Sequence, residues 1–325
     1  MKAQQLVTEG GPESLEYTDV PEPVAEPDGV LIDVHAAGVS FVDVLMTRGQ
    51  YQDRPELPFV PGVEVAGVVR EAPADAAVRV GDRVAAYLPR GGYAEVATSP
   101  ASTTFRIPDE LDFAAGAAVA LNFPTAHFAL MRRGGVQQGQ DVLVHGAAGG
   151  VGIASIQVAK AAGARVVAVV HRADTVDIAT QAGADAVVVS SGDWAKEVRQ
   201  EVPRGFALTV DPVGGDLFDD SIRLLAPEGR HLVVGFAAGG IPTLKVNRIL
   251  LRNVDVAGVG WGAFLKVDPS IAAVAAADFD RWVRDGFIKP PVGQRFPLSQ
   301  AAEALAVLEG HRANGKVVLE VEQSP

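Results

Sequence analysis

The residues with the clearest chemical purpose lie in one short run, Val142-Leu-Val-His-Gly-Ala-Ala-Gly-Gly-Val-Gly152. Asp141-Val-Leu-Val-His145, which leads into it, reads as a buried-strand run, and Val151 to Gly163 carries helical apolar spacing. Small residues between a strand and a helix let backbone approach a pyrophosphate, while the helix start offers unpaired N–H groups and the positive end of its dipole. Read as G-x-G-x-x-G, the run has Ala147 in place of the first glycine, followed by Gly149 and Gly152. A structural glycine turn is the bland alternative. The alternation of strands and helices on both sides favours a dinucleotide cradle.

The choice of cofactor rests on the next predicted strand, Arg165 to Val170. NAD enzymes place an acidic residue at its end to hold the ribose hydroxyl. Here the strand is followed by His171-Arg172. An arginine there can grip a 2′-phosphate through a charge-assisted hydrogen bond worth about 1.5–3 kcal/mol, which selects NADP(H). A solvated surface arginine is the alternative reading.

Metal chemistry finds little support. The chain has no cysteine, and its six histidines show no ligand spacing. His145, ending a buried strand, reads as a hydrogen-bonded core residue. Without a metal to polarise a carbonyl, a hydride acceptor must be electrophilic in itself, as quinones and α,β-unsaturated carbonyls are. Ser40 and Asn122 are the candidate donors to the developing oxyanion, and Tyr51 a mobile donor or lid residue. A turn role for Ser40 and a loop role for Tyr51 are the alternative readings.

These residues need a scaffold of two kinds. As far as about Arg106 the chain reads as short strands broken by Gly and Pro, such as Val30–Gly38, Val63–Arg70 and Gly81–Tyr87, which favours an antiparallel, barrel-like domain. From Ile107 the pattern changes. Helices are expected at Asp112–Leu121, Thr125–Arg133, Thr175–Ala182 and Leu217–Leu225, with strands at Ala186–Val189, Phe206–Asp211 and Arg230–Phe236. Such alternation marks a doubly wound parallel sheet. A long amphipathic helix over Pro269–Arg284 follows, and Gly315–Val321 is expected to return to the first domain as a strand.

Composition narrows the class further. At 325 residues, 48% hydrophobic and 21% charged, the chain is long enough for two packed domains. A formal net charge of −12 opposes binding to nucleic acid or anionic membranes. Gly, Asp, Arg or Gln interrupts each apolar run, so no membrane span is expected, and the first residues lack the shape of a signal peptide. A cytoplasmic protein is the expectation.

With these motifs in view, the chain resembles the quinone oxidoreductase (zeta-crystallin-like) branch of the medium-chain dehydrogenase/reductase superfamily. The resemblance runs nearly end to end through Ala37–Asp43, Pro58–Val69, Gly91–Val96, Asn122–Ala126, Ala147–Gly152, Asp211–Gly215, Gly235–Gly239, Val259–Gly262 and Gly315–Val318. It implies an α/β fold: a central Rossmann doubly wound parallel sheet over residues 121–262, and a GroES-like antiparallel β-barrel from 1–120 and 263–325. An active-site cleft between the two and a homodimer formed through the Rossmann domains are implied as well.

The same resemblance places Gly149, Gly150 and Val151 against the pyrophosphate and His171 and Arg172 at the 2′-phosphate of NADPH. Phe236 and Ala237 would lie near the ribose, and Val259, Gly260 and Trp261 beside the nicotinamide. Asn122 and Thr125 would touch the cofactor, and Lys316 is a candidate phosphate contact or an exposed strand lysine. Many relatives carry Asn where this chain has Ser40, and some carry Tyr at Leu45, at positions that face substrate. The catalytic Gly-His-Glu of zinc alcohol dehydrogenases appears here as Gly62-Val63-Glu64, and the cysteine-rich structural lobe is missing between Ala86 and Gly92.

The expected function is therefore NADPH-dependent, zinc-independent hydride transfer to a quinone. An enoyl or alkenal double-bond reductase on the same fold and a non-catalytic NADPH-binding protein are the rivals.

Overall fold

The computed structural model describes residues 1–322. Its strands, in chain order, are β1 (Lys2–Leu6), β2 (Leu15–Asp19), β3 (Gly29–Val39), β4 (Glu64–Glu71), β5 (Arg83–Tyr87), β6 (Val96–Pro100) and β7 (Thr104–Arg106). There follow β8 (Asp141–Val144), β9 (Arg165–Val170), β10 (Ala186–Val189), β11 (Phe206–Asp211), β12 (Leu225–Val233) and β13 (Asp255–Gly258), and finally β14 (Val292–Pro297) and β15 (Lys316–Glu320). By contacts the chain divides into two compact units: Met1–Leu121 with Ala272–Asp280 and Pro290 onward, and Asn122–Ile271 with Arg281–Lys289. The division drawn from sequence gave 263–325 wholly to the first unit. In the structure residues 263–271 and 281–289 cluster with the second.

In the first unit, one sheet runs β14-β15-β3-β4-β5-β7, with β6 also on β3. Every pairing is antiparallel except β14 with β15, which are parallel. The eleven-residue β3 organises the rest. Its first half, Gly29–Asp33, pairs with β6, and its last residues, Ala36–Val39, pair with β15. Val30, Ile32, Val34, Val65, Val84, Tyr93, Leu305 and Val317 are among the residues that fill the core beneath this sheet. The helix Ala301–Glu309, for which the sequence reading made no provision, contributes Leu305 and Ala304 to it.

The second unit is a six-stranded sheet ordered β10-β9-β8-β11-β12-β13, and every pairing in it is parallel. Counted from β8, this is the doubly wound order in which the strand sequence reverses beside the first strand, so a crevice opens at the carboxyl ends of β8 and β11. Valine-rich strands such as Val166–Val170 are buried on both faces, as a parallel sheet covered by helices requires. The sequence reading places the start of β12 at Arg230, misled by Pro227-Glu-Gly229. The strand instead enters at Leu225, and the irregular stretch is absorbed by a register shift on β11 and a left-handed Glu228.

One helical stretch, Phe113–Gly134, is long and apolar enough to cross a membrane, contrary to the sequence expectation. Gly116 is the one residue of the interrupting types ahead of Arg132, and a single glycine leaves such a helix apolar. Most of the apolar window, 83%, is buried inside the fold, which is how a core helix behaves. The last part, Phe128–Gly134, winds as a π-helix before a left-handed Gly135 ends it.

Candidate active site

In the second unit the glycine-rich run follows β8 and is pinned to both neighbouring strands. His145 N–H donates to Val210 O at 3.0 Å and Ala147 N–H to Val169 O at 3.1 Å. Gly146 makes the turn with φ 57°, a conformation only glycine adopts freely. Ala147, standing where the motif has glycine, is fully buried and leaves the turn intact. The helix Gly150–Ala161 then begins with Gly149 as its N-cap, and no side chain caps it. Its first N–H groups are thus available to an anion. A Cβ at Gly152 would run into the Gly146 carbonyl oxygen, so the absence of a side chain there lets helix and turn touch. At Gly150 the amide of Asn122 occupies the space, 2.6 Å from where a Cβ would stand. Asn122 and Thr125, both buried, lie one turn apart on the helix Asn122–His127.

The other residues expected at a cofactor fall on the same edge of the sheet. His171 and Arg172 follow β9, Phe236 and Ala237 follow β12, and Val259, Gly260 and Trp261 follow β13. The loops after β11 and β12 are zipped together by Ala237 N–H to Pro212 O at 3.1 Å and Ala238 N–H to Val213 O at 3.0 Å. Val259 N–H continues the β12–β13 pairing to Val233 O at 2.9 Å. Trp261 and Val259 are buried, whereas the Phe236 ring is 39% exposed.

Beneath this edge lies a buried polar core. Asp211 accepts from Val213 and Gly214 N–H, each at 2.9 Å, and from His231 Nε2 at 3.1 Å. Burial alone would raise its pKa, but the hydrogen bond from His231, the neighbouring His145 and the Gly214 N–H hold it below the ordinary value. His145 Nε2 meets Ser221 Oγ at 2.7 Å, and Ser221 donates its own proton to Leu217 O. The proton on His145 therefore resides on Nε2. Burial drives the His145 pKa down to about 4, so the ring is neutral, a structural core histidine as expected.

In the first unit a second constellation forms where three strand ends meet. Gly38, near the end of β3, pairs with Glu64 at the start of β4, and Val39 pairs with Val317 at the start of β15. Ser40 N–H donates to Asp43 Oδ2 at 2.9 Å, and the fully buried Tyr93 hydroxyl donates to the same oxygen at 2.9 Å. Among the described residues, neither Ser40 Oγ nor Asp43 Oδ1 has a partner. Glu64 is wholly buried, accepts from Leu121 N–H at 3.1 Å and forms an ion pair with Lys316. Tyr51 is half-buried against the cluster of Leu6, Met46, Phe59 and Val63, where desolvation raises its pKa.

Lys316 requires a correction. It is neither a free phosphate ligand nor an exposed strand lysine, because its ammonium is buried and paired with Glu64. An unpaired buried carboxylate there would be too costly. Asp43 and Tyr93 were not singled out from sequence. The spacing Ser40-Phe-Val-Asp43 is that of a capping box and carried the signal for Asp43. Nothing in the sequence distinguished Tyr93.

Asp43 makes a pH-dependent prediction. Burial, reinforced by the nearby Glu64 carboxylate, pushes its pKa up to about 6 from 3.8, against the hydrogen bonds from Ser40 and Tyr93 and the Lys316 charge. Between those two values the folded protein holds a proton that the unfolded chain has lost. Stability from this group is therefore full below the unfolded pKa and falls as pH rises through the window, by about 3 kcal/mol in all. Asp43→Asn keeps an acceptor for Ser40 and Tyr93 and cannot ionise. It is expected to unfold at a higher temperature than wild type at pH 7.5, with the difference vanishing near pH 4. Equal midpoints at both pH values would refute the assignment.

Comparison with known proteins now decides the family. Residues 26–109 match the alcohol dehydrogenase GroES-like domain, and residues 150–276 match the zinc-binding dehydrogenase family. Rat quinone oxidoreductase-like protein 2 is 36% identical over 306 residues, covering 93% of this chain and 87% of its own. The chain belongs to the quinone oxidoreductase branch of the medium-chain dehydrogenases/reductases. A probable oxidoreductase from Mycobacterium abscessus superposes with a TM-score of 0.90 at 45% identity, covering 98% of both chains. A mycobacterial protein solved in complex with NADPH has a TM-score of 0.90 at 35% identity, covering 98% of this chain and 99% of its own. The α/β class, the Rossmann sheet and the GroES-like domain follow from this membership, and the protein is a medium-chain reductase of the quinone oxidoreductase-like kind.

Proposed function

We propose that the protein transfers hydride from NADPH to a small quinone without a metal. The observation that carries this reading is the convergence of an uncapped helix start, an Asn122 amide and an arginine in the acidic residue's place on the carboxyl edge of one parallel sheet. Gly149, Gly150 and Val151 would receive the pyrophosphate on the helix N–H groups, and His171 and Arg172 the 2′-phosphate. Phe236 and Ala237 would border the ribose, and Val259, Gly260 and Trp261 the nicotinamide, with Asn122 and Thr125 beside the helix start. NADPH, when bound, supplies the hydride.

Substrate polarisation falls to the protein's own donors. The Ser40 hydroxyl is buried and unpartnered among the described residues, as a donor awaiting an oxyanion would be. Tyr51 offers a second hydroxyl near Asp43. Zinc independence is supported by a chain without cysteine and by Val63 at the position of the metal-binding histidine. The Glu64 carboxylate is already committed to Lys316 and Leu121 N–H. With no metal to activate an alcohol or a plain ketone, the acceptor must delocalise the incoming electrons onto oxygen itself, which a quinone does.

The test is loss of reduced-nicotinamide absorbance with a panel of quinones and enones, with NADPH and then NADH, before and after treatment with a strong chelator. Chelator-resistant turnover of quinones supports the proposal. Turnover of enones alone would reassign the substrate to a conjugated double bond, and binding without turnover would leave a carrier of NADPH. Within that assay Ser40→Ala is expected to lower kcat/KM about tenfold or more, the loss of one oxyanion donor.

We also propose a homodimer and a cytoplasmic location. β13 is the terminal strand of its sheet, and Val246, Leu250 and Leu251 just before it are about three-quarters exposed. A second copy that extends the sheet would cover this apolar surface. Leu250→Lys with Leu251→Lys is expected to halve the mass measured in solution. A wild-type monomer would overturn the dimer.

A further inference from the structure

Arg172 stands where the 2′-phosphate is expected, and its guanidinium is already engaged. Nε donates to Asp174 Oδ1 at 2.9 Å and Nη2 to Asp174 Oδ2 at 3.0 Å, a two-pronged pair between residues two apart. The turn that permits this is itself held in place. Arg172 caps a short 3-10 turn over Ala173–Thr175, and its carbonyl accepts from Thr175 N–H at 3.2 Å and from Thr175 Oγ1 at 2.7 Å. Thr175 is buried, so the backbone that aims Asp174 at Arg172 is anchored in the fold. The carboxylate is on the solvent side, with 64% of its side chain exposed against 29% for Arg172.

We propose that Asp174 is a specificity-determining residue that competes with the cofactor's 2′-phosphate for Arg172. The inference rests on the reading of Arg172 given above and extends it. A phosphate arriving at Arg172 would have to displace the Asp174 carboxylate from the fork or share the guanidinium with a like charge. A cofactor lacking the 2′-phosphate meets no such opposition, and the acidic oxygen can accept a ribose hydroxyl, the task an acid performs in NAD enzymes. The pair therefore narrows the gap between NADPH and NADH that Arg172 alone would open. The pair is partly exposed, so the penalty is modest and falls with added salt.

The experiment is calorimetric titration of the intact protein with adenosine 2′,5′-bisphosphate and, separately, with ADP, which carries no 2′-phosphate. Asp174→Asn keeps the shape of the side chain and removes its charge. It is expected to bind the bisphosphate about three- to tenfold more tightly and ADP within about twofold of wild type. Unchanged or weaker bisphosphate binding in Asp174→Asn would overturn the proposal, since it would make Asp174 inert or a support for Arg172. Arg172→Ala separates this from the underlying reading. If Arg172→Ala binds the bisphosphate as well as wild type does, the 2′-phosphate site itself is misplaced. If it binds weakly while Asp174→Asn is unchanged, only the competition fails.

Discussion

Removing the Lys316 side chain as Lys316→Ala will destabilise the β-rich unit by about 3–5 kcal/mol at pH 7.5, the cost of stranding a buried charge. Glu64 has no exposed surface, and among the described residues its one donor beyond Lys316 is the Leu121 N–H. Burial already presses its pKa upward, with Lys316 as the chief opposing influence. Once Lys316 is gone the carboxyl will take up a proton more readily, so the deficit should shrink as pH falls toward 5. Replacing both partners, as Glu64→Gln with Lys316→Met, keeps an acceptor for Leu121 and removes both charges. That double variant should recover most of the loss, because apolar or neutral groups of similar volume replace buried ion pairs at little cost. Denaturant titration at two pH values measures all three. A Lys316→Ala variant within about 1 kcal/mol of wild type would show that the pair is solvated rather than buried.

Gly152→Ala will weaken nucleotide binding sharply, whereas Gly149→Ala, three residues earlier, will disturb the turn far less. The difference lies in what a methyl group would meet. At Gly152 it collides with the Gly146 carbonyl and stands 2.7 Å from the Ala147 Cα, both backbone atoms that cannot rotate aside. The helix must back away from the turn, at an overpacking cost of about 1–3 kcal/mol, and its N–H groups leave their aim. At Gly149 the backbone has φ −88°, open to any residue, and the nearest atom would be 3.3 Å away. We expect NADPH affinity to fall at least about a hundredfold in Gly152→Ala, equivalent to roughly 2.7 kcal/mol. Binding within twofold of wild type, by fluorescence titration, would remove Gly152 from the cradle.

The second unit was the more legible of the two because its information is local. The valine runs in Arg165–Val170 and Ala186–Val189, the glycine cluster and the residues after each strand each lie within a single strand–loop–helix unit of their own. Their placement on one sheet edge follows from the parallel topology without any knowledge of distant partners. β12 escaped at its start because Pro227 and Gly229 imitate a turn, and tertiary pairing with β11 overrode them. The first unit was less legible for the opposite reason. Lys316 and Glu64 are 252 residues apart, and no spacing rule links them. Tyr93 reaches Asp43 because Gly62 and Gly92 let two loops interlock, with the Tyr93 ring and N–H where a Gly62 side chain would be. A lone tyrosine in a loop carries no trace of that.

The division of β3 between β6 and β15 also bears on the order in which the chain can fold during synthesis. The first unit cannot finish its sheet until β15 has left the ribosome, because Ala36–Val39 wait for partners from Val317–Glu320. The parallel sheet is made entirely of strands between Asp141 and Gly258 and can pair fully while the first unit is still incomplete. Until then the end of β3 presents an unpaired edge, the surface on which misassociation between nascent chains begins. The β-rich unit, though first to be made, is thus the last to close, and its folding rate is governed by the long-range docking of β15 rather than by its own local turns.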